Sequence, residues 1–149
     1  MTNTKQTSNY AGFTLVETLL VLFVTTFLIG LPSLLLERGQ ENVLVGQFFG
    51  SFERQVLHIQ QLAVTGEEDT TIIFTKSNEL AFLSAHTKNV LVIPKELEAV
   101  GPEKIIFKKG TGNNGRLSKY SFVWRNKKKQ VDYQFQMGSG RYAKNIIAL

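Results

Sequence analysis

Gly12-Phe13-Thr14-Leu15-Val16-Glu17 opens an apolar run that continues to Leu36. From Phe13 to Leu36 there are 24 residues and one ionisable group, Glu17. As a helix rising 1.5 Å per residue, the run is about 36 Å long, enough to cross a hydrocarbon core of about 30 Å with some tilt. The carboxylate stands close to the start of the run. At mid-bilayer it costs roughly 2.5–3.5 kcal/mol on insertion scales, and less near the edge, so its placement requires a cause.

Three readings compete for this stretch. A removable secretory signal fits poorly: the run exceeds the usual length of about 7–15 residues, and no small-x-small cleavage pattern follows. A plain membrane anchor with an incidental Glu is the bland alternative. The third is a resemblance: the six residues, with a short polar leader before them and a membrane-length apolar run after them, resemble the class III leader junction of type IV pilins and pseudopilins. The resemblance implies cleavage after Gly12 by a prepilin peptidase and N-methylation of Phe13. It also implies that Glu17 docks on the new Phe13 amine of a neighbouring subunit. A carboxylate in an apolar setting needs a cationic or donating partner. Lys and Arg are both absent within a helical turn or two of Glu17, so the partner is expected from another chain.

Residues 1–12 form the expected leader and 13–36 the expected membrane-spanning, later filament-core, helix. The leader is only weakly basic, with Lys5, while Arg38 flanks the far end. Gly30 and Pro32 predict a kink, since Pro removes a helical hydrogen bond and clashes with the preceding turn. The competing explanation is that both residues are common in membrane helices.

Over 37–66 the pattern turns amphipathic. Val45, Phe49, Phe52, Val56, Ile59 and Ala63 recur at three- and four-residue steps, widened by Phe48 and Leu62. Gly39, Gly46 and Gly50 weaken this helix by roughly 1 kcal/mol each relative to Ala, so packing on a sheet must supply the difference. After Gly66 the period becomes two. Strands are predicted at 70–75, 80–84, 89–93, 104–108, 119–125, 131–137 and 142–149, with 97–101 a loop. Val131, Tyr133, Phe135 and Met137 are assigned to one face, with Asp132, Gln134 and Gln136 on the other. The expected fold is α+β and pilin-like: a long N-terminal helix packed on an antiparallel β-sheet, with 67–149 as the head.

Gly110-Thr111-Gly112-Asn113-Asn114-Gly115 matches Gly-x-Gly-x-x-Gly. A dinucleotide site needs a helix after it, and here alternating Tyr120, Phe122 and Trp124 predict a strand. The stretch reads as a hairpin turn requiring positive φ. Glu67-Glu68-Asp69 reads as a solvated turn. Cysteine is absent, and neither His58 nor His86 has a second ligand at metal spacing. No metal, cofactor or catalytic constellation is expected, and the chain reads as a non-enzyme.

Charge is uneven along the chain. Residues 40–100 hold four basic and eight acidic groups, net −4, and residues 101–149 hold eleven basic and two acidic, net +9; residues 1–39 balance, giving the overall +5. Lys127, Lys128 and Lys129 are the candidate DNA contacts of this basic region, with Tyr120, Trp124 or Tyr142 able to stack on bases if exposed. The reading that lysines keep turns and sheet edges soluble weighs more; attraction to anionic lipid or wall polymer is a third.

Within the family, the resemblance is nearest to the small minor pseudopilins of Gram-positive competence machines, the ComGD type. It implies a single-pass membrane protein with its head outside, held by membrane lipid before assembly. It then implies joining major and other minor pseudopilins in a surface filament for DNA uptake in transformation. The alternative is a type II secretion-like pseudopilin that handles protein cargo without DNA contact.

Overall fold

In the computed structural model, the described residues are 14–149 without Lys76, and the side chains of 31–39 also fall outside the description. The expected cleavage site, Gly12 and Phe13, lies outside the described residues, as does the Pro32 side chain on which the kink depends. Among the described residues no helix is long and apolar enough to cross a membrane; the expected span Phe13–Leu36 falls partly outside them.

Helical backbone, α1, covers Leu15–Thr65 and includes Gly30. The chain divides between Gln40 and Glu41 into two units. The amphipathic half of α1 therefore belongs with the strands rather than forming a separate segment.

Eight strands follow: β1 (Thr70–Thr75), β2 (Glu79–Leu83), β3 (Lys88–Val92), β4 (Leu97–Val100), β5 (Lys104–Phe107), β6 (Ser118–Trp124), β7 (Lys129–Phe135) and β8 (Tyr142–Ala148). They form two antiparallel sheets, ordered β3-β2-β1-β5 and β4-β6-β7-β8, where one sheet was expected. The expected loop at 97–101 is mostly strand: Leu97–Val100 pairs with Ser121–Trp124 of β6. Its shortness and the flanking Pro94 and Pro102 hide it in the sequence.

The helix builds the core. Val45, Phe48, Phe52, Val56, Ile59 and Ala63 are all buried, and Phe49 is only partly so. Phe48 therefore takes the central place assigned to Phe49. The Phe52 ring meets Phe82 on β2, Tyr120 and Phe122 on β6, and Tyr133 on β7, at centroid separations of 6.2, 6.2, 5.4 and 4.8 Å. One side chain thus touches both sheets. On β7, Val131, Tyr133 and Phe135 are buried as their alternation requires, but Met137 lies beyond the strand and is exposed. Asp132, assigned to the opposite face, is buried as well, and Lys119 bonds it at 3.0 Å.

The glycine-rich stretch connects the two sheets instead of closing a hairpin, because β5 and β6 belong to different sheets. Gly110 and Gly112 have φ of 74° and 63°, the left-handed region that glycine enters without a Cβ penalty. The stretch caps the helix: the Gly110 N–H donates to the Ala63 carbonyl at 2.8 Å. A Cβ on Gly112 would lie 2.7 Å from Val64 Cγ2.

Two substitutions test this packing. Phe52→Ala is expected to cost about 3–5 kcal/mol in denaturant unfolding; a loss below about 1 kcal/mol contradicts the wedge. Gly46 has open space around it, so Gly46→Ala is expected to raise stability by about 0.5–1 kcal/mol.

Candidate functional site

The first described residues show how the helix begins. Thr14 precedes Leu15, and its Oγ1 accepts a hydrogen bond from the Glu17 N–H at 3.3 Å. This is half of a capping box, Thr-x-x-Glu, and it puts Glu17 in the first turn, where a carboxylate interacts favourably with the helix dipole. The pattern Thr14-Leu15-Val16-Glu17 carries that signal, which sequence reasoning passed over in favour of intersubunit docking. The two roles are compatible, because the cap uses the Glu17 main chain. Among the described residues no hydrogen bond or ion pair to the Glu17 carboxylate is present.

Around and beyond Glu17 the helix surface is apolar and open. Leu15, Val16, Leu19, Leu20, Leu22, Phe23, Leu28 and Ile29 are all exposed. The threonines among them turn their hydroxyls inward. Thr18 Oγ1 donates to Leu15 O at 2.8 Å, Thr25 Oγ1 to Val21 O at 2.9 Å, and Thr26 Oγ1 to Leu22 O at 2.7 Å. A hydroxyl satisfied within its own helix can enter an apolar environment without leaving a donor unpaired.

The three lysines come together at the corner between β6 and β7. Arg125–Lys127 form a single 3-10 turn, Lys128 closes it in the left-handed conformation at φ 50°, and Lys129 opens β7. All three are exposed. Lys127 Nζ stands 5.9 Å from the centre of the Trp124 ring. Glu41 of the helix receives hydrogen bonds from Trp124 Nε1 and from Asn126 Nδ2, the latter at 3.1 Å, and these hold its carboxyl below the usual range. Arg125 is paired with Glu98. The aromatic candidates for base stacking are otherwise engaged: Tyr120 is 1% exposed, and Tyr142 packs against Tyr133 and Phe135. Lys128 and Lys129 carry no ion pair among the described residues.

Part of the positive charge of the last third is used internally. Lys108 bonds Asp69 at 2.7 Å, Lys144 bonds Glu53 at 2.7 Å, and Arg125 bonds Glu98, so acids of the middle third meet bases of the last. Glu53 joins the helix to two strands. Tyr133 on β7 donates to its Oε1 at 2.7 Å, as does Lys144 on β8. Burial works against the Glu53 carboxylate, but these bonds more than offset it and lower its pKa from 4.5. The same acid raises the Tyr133 hydroxyl, whose burial is the larger cause. Asp132 behaves like Glu53: burial opposes ionisation, and hydrogen bonds from Gln130, Lys119 and Ser121 prevail, lowering its pKa from 3.8. Sequence reasoning missed Glu41 and Glu53. The available signal was two carboxylates on a helix packed against strands rich in cations.

No family model and no curated protein match this chain. Among solved structures, the fold is similar to that of the minor pseudopilin EpsH from the type 2 secretion system of Vibrio cholerae. The TM-score is 0.50 and the identity 13%, over 66% of this chain and 92% of that one. At that identity the likeness is one of fold, α+β with a helix on antiparallel sheets.

The lowered carboxyls fix the sign of the pH response. Asp132 and Glu53 bind protons less readily folded than unfolded, so their contribution is full above the unfolded values near 3.8 and 4.5 and is lost as pH falls through the folded ones. Unfolding midpoints are therefore expected to drop below about pH 4.5, and the drop is expected to be shallower in Asp132→Asn. An equally steep drop in that variant contradicts the assignment.

Proposed function

We propose that this chain is a minor pseudopilin of a competence type IV pilus, assembled into a surface filament for DNA uptake. The observation that carries the proposal is a conjunction in one chain. The Gly12-Phe13 junction, with Glu17 and an apolar run behind it, precedes a head whose fold is like that of a minor pseudopilin.

The proposed sequence of events follows from the chemistry of that end. Before processing, the apolar run rests in membrane lipid with the head outside. Prepilin peptidase cuts after Gly12, and the freed Phe13 amine is methylated. The peptide N–H of Phe13 becomes a cationic amine, the charge that Glu17 of a neighbouring subunit lacks within two turns of its own helix. In the filament, the open apolar surface from Leu15 to Ile29 is buried against the helices of major and other minor pseudopilins. Lipid contact is thereby replaced by protein contact, and the internally bonded threonines enter the packed core without penalty. The amine and Glu17 then set the stagger of one subunit on the next. Lys127, Lys128 and Lys129 are the residues proposed to meet DNA phosphate. Their strength in that role is a cation cluster at an exposed corner, since the nearby aromatic rings are committed to the core.

A type II secretion-like pseudopilin handling protein cargo without DNA contact shares the same fold likeness, so the separation is made in the cell. A strain lacking this chain is expected to lose transformation while exporting protein normally; normal transformation with defective export rejects the competence reading. Glu17→Gln is expected to reduce incorporation beside native subunits at least tenfold, the effect of losing about 1.4 kcal/mol of docking free energy. Unchanged incorporation removes the stagger contact. Changing Lys127, Lys128 and Lys129 together to Gln is expected to weaken DNA binding and flatten its salt dependence; unchanged affinity returns these lysines to a solubility role.

A further inference from the structure

Between the free edge of β5 and the chain leading from Asn114 into β6 lies a cleft of about 330 Å³. Lys104, Ile106 and Lys108 line it from β5 and its end, and Asn114, Arg116 and Ser118 from the segment that follows. The cleft exists because β5 borders one sheet and β6 enters the other, so the chains part after the bridge Phe107↔Asn114.

Its lining is one-sided in charge. Three cations contribute and no carboxylate does. Lys108 is shared with Asp69, while Lys104 and Arg116 have no ion pair among the described residues. Asn114 is 3% exposed, and its Oδ1 accepts from the Arg116 N–H at 3.2 Å, which fixes the orientation of the amide. The Asn114 Nδ2 then has no hydrogen-bond partner, and it is the one buried side-chain polar atom in that condition among the described residues. Buried polar groups are almost always satisfied, so such an exception needs a cause. The Phe74 N–H donates to Glu103 O across β1, and the Lys108 N–H points the other way, to Asn113 O. Antiparallel alternation turns the Ile106 N–H to that same open side.

We propose that this cleft is an anion site that takes one phosphate-class oxyanion. A tetrahedral oxyanion offers several acceptor oxygens and negative charge to a site of cations and unfilled donors. The guanidinium of Arg116 suits two of those oxygens at once, and Lys104 supplies a point charge. A cationic ligand is repelled, and a neutral one gains nothing from the charges of Lys104 and Arg116, which are exposed to water. The site does not include Lys127, Lys128 or Lys129 and stands whether or not the chain handles DNA.

The test is an NMR titration of the full chain, nitrogen-15 labelled in nonionic detergent, with inorganic phosphate at constant ionic strength and chloride as the control. Saturable shifts are expected at the Asn114 side-chain amide, the Arg116 Nε–H and the Ile106 N–H. Lys104→Gln with Arg116→Gln is expected to reduce affinity at least about tenfold while other signals stay in place. The triple Gln variant at Lys127, Lys128 and Lys129 is expected to bind phosphate as the parent does. Shifts that rise linearly, that chloride reproduces, or that survive in the double variant overturn the site. A short single-stranded oligonucleotide forms the second arm. Its competition with phosphate assigns the site to a phosphodiester strand, and its failure to compete assigns it to the free anion.

Discussion

The helix is wedged against both sheets of the head, which also meet directly where Phe74 faces Tyr120 and Phe107 faces Phe135. Among the described residues no strand of one pairs along its length with a strand of the other; isolated bridges join Asn114 to Phe107 at the end of β5 and to Met137 beyond β7. Phe48, Phe52, Val56 and Ile59 fill the space that such a ladder would otherwise have to organise. Burial of aromatic side chains is non-directional in origin but geometric in execution, because rings prefer edge-to-face contacts. The Phe52 ring makes four such contacts, one with the first sheet and three with the second. The part of the helix from Glu41 to Thr65 is thereby made inseparable from the folding of the head.

Polar contacts on the flanks of the helix fix how this wedge sits. Gln55 accepts from Asn89 of β3 at 3.2 Å, Glu53 holds β7 and β8, and Gln60 reaches the Ser139 carbonyl at 3.2 Å. The glycine-rich crossover closes the far end on the Ala63 carbonyl. Gly140 approaches that crossover so closely that a Cβ there would lie 2.0 Å from the Gly112 carbonyl oxygen. Apolar fill gives the association and these polar contacts give it one register.

The helix stripe was legible because its spacing is a direct image of burial, and β1 was legible to the residue, since Thr70–Thr75 alternates between turns of polar sequence. What failed were readings that need the partner strand. Leu97–Val100 is too short to show a period, and nothing local says that β6 will pair with it. The Gly110–Gly115 stretch has the φ values of a turn, but whether a turn closes a hairpin or crosses between sheets depends on residues far away. Asp132 alternates with the core-facing residues of its strand and is buried nonetheless, bonded by Lys119 and Gln130. The charge asymmetry was legible as a quantity and misleading as a place: acids of the middle third neutralise part of the surplus in space. At the N-terminal end, the Thr14 cap was written plainly in the sequence and overlooked, while Gly12 and Phe13 rest on resemblance.

That end carries the proposed function, because the docking role proposed for Glu17 requires an amine at Phe13, which only a chain cut after Gly12 possesses. The direct measurement is the mass and N-terminal sequence of the chain recovered from the membrane and surface fractions of its own cell. The account predicts a chain beginning at Phe13 with one methyl group on its amine. A chain that keeps Met1 in a cell whose prepilin peptidase is active contradicts it.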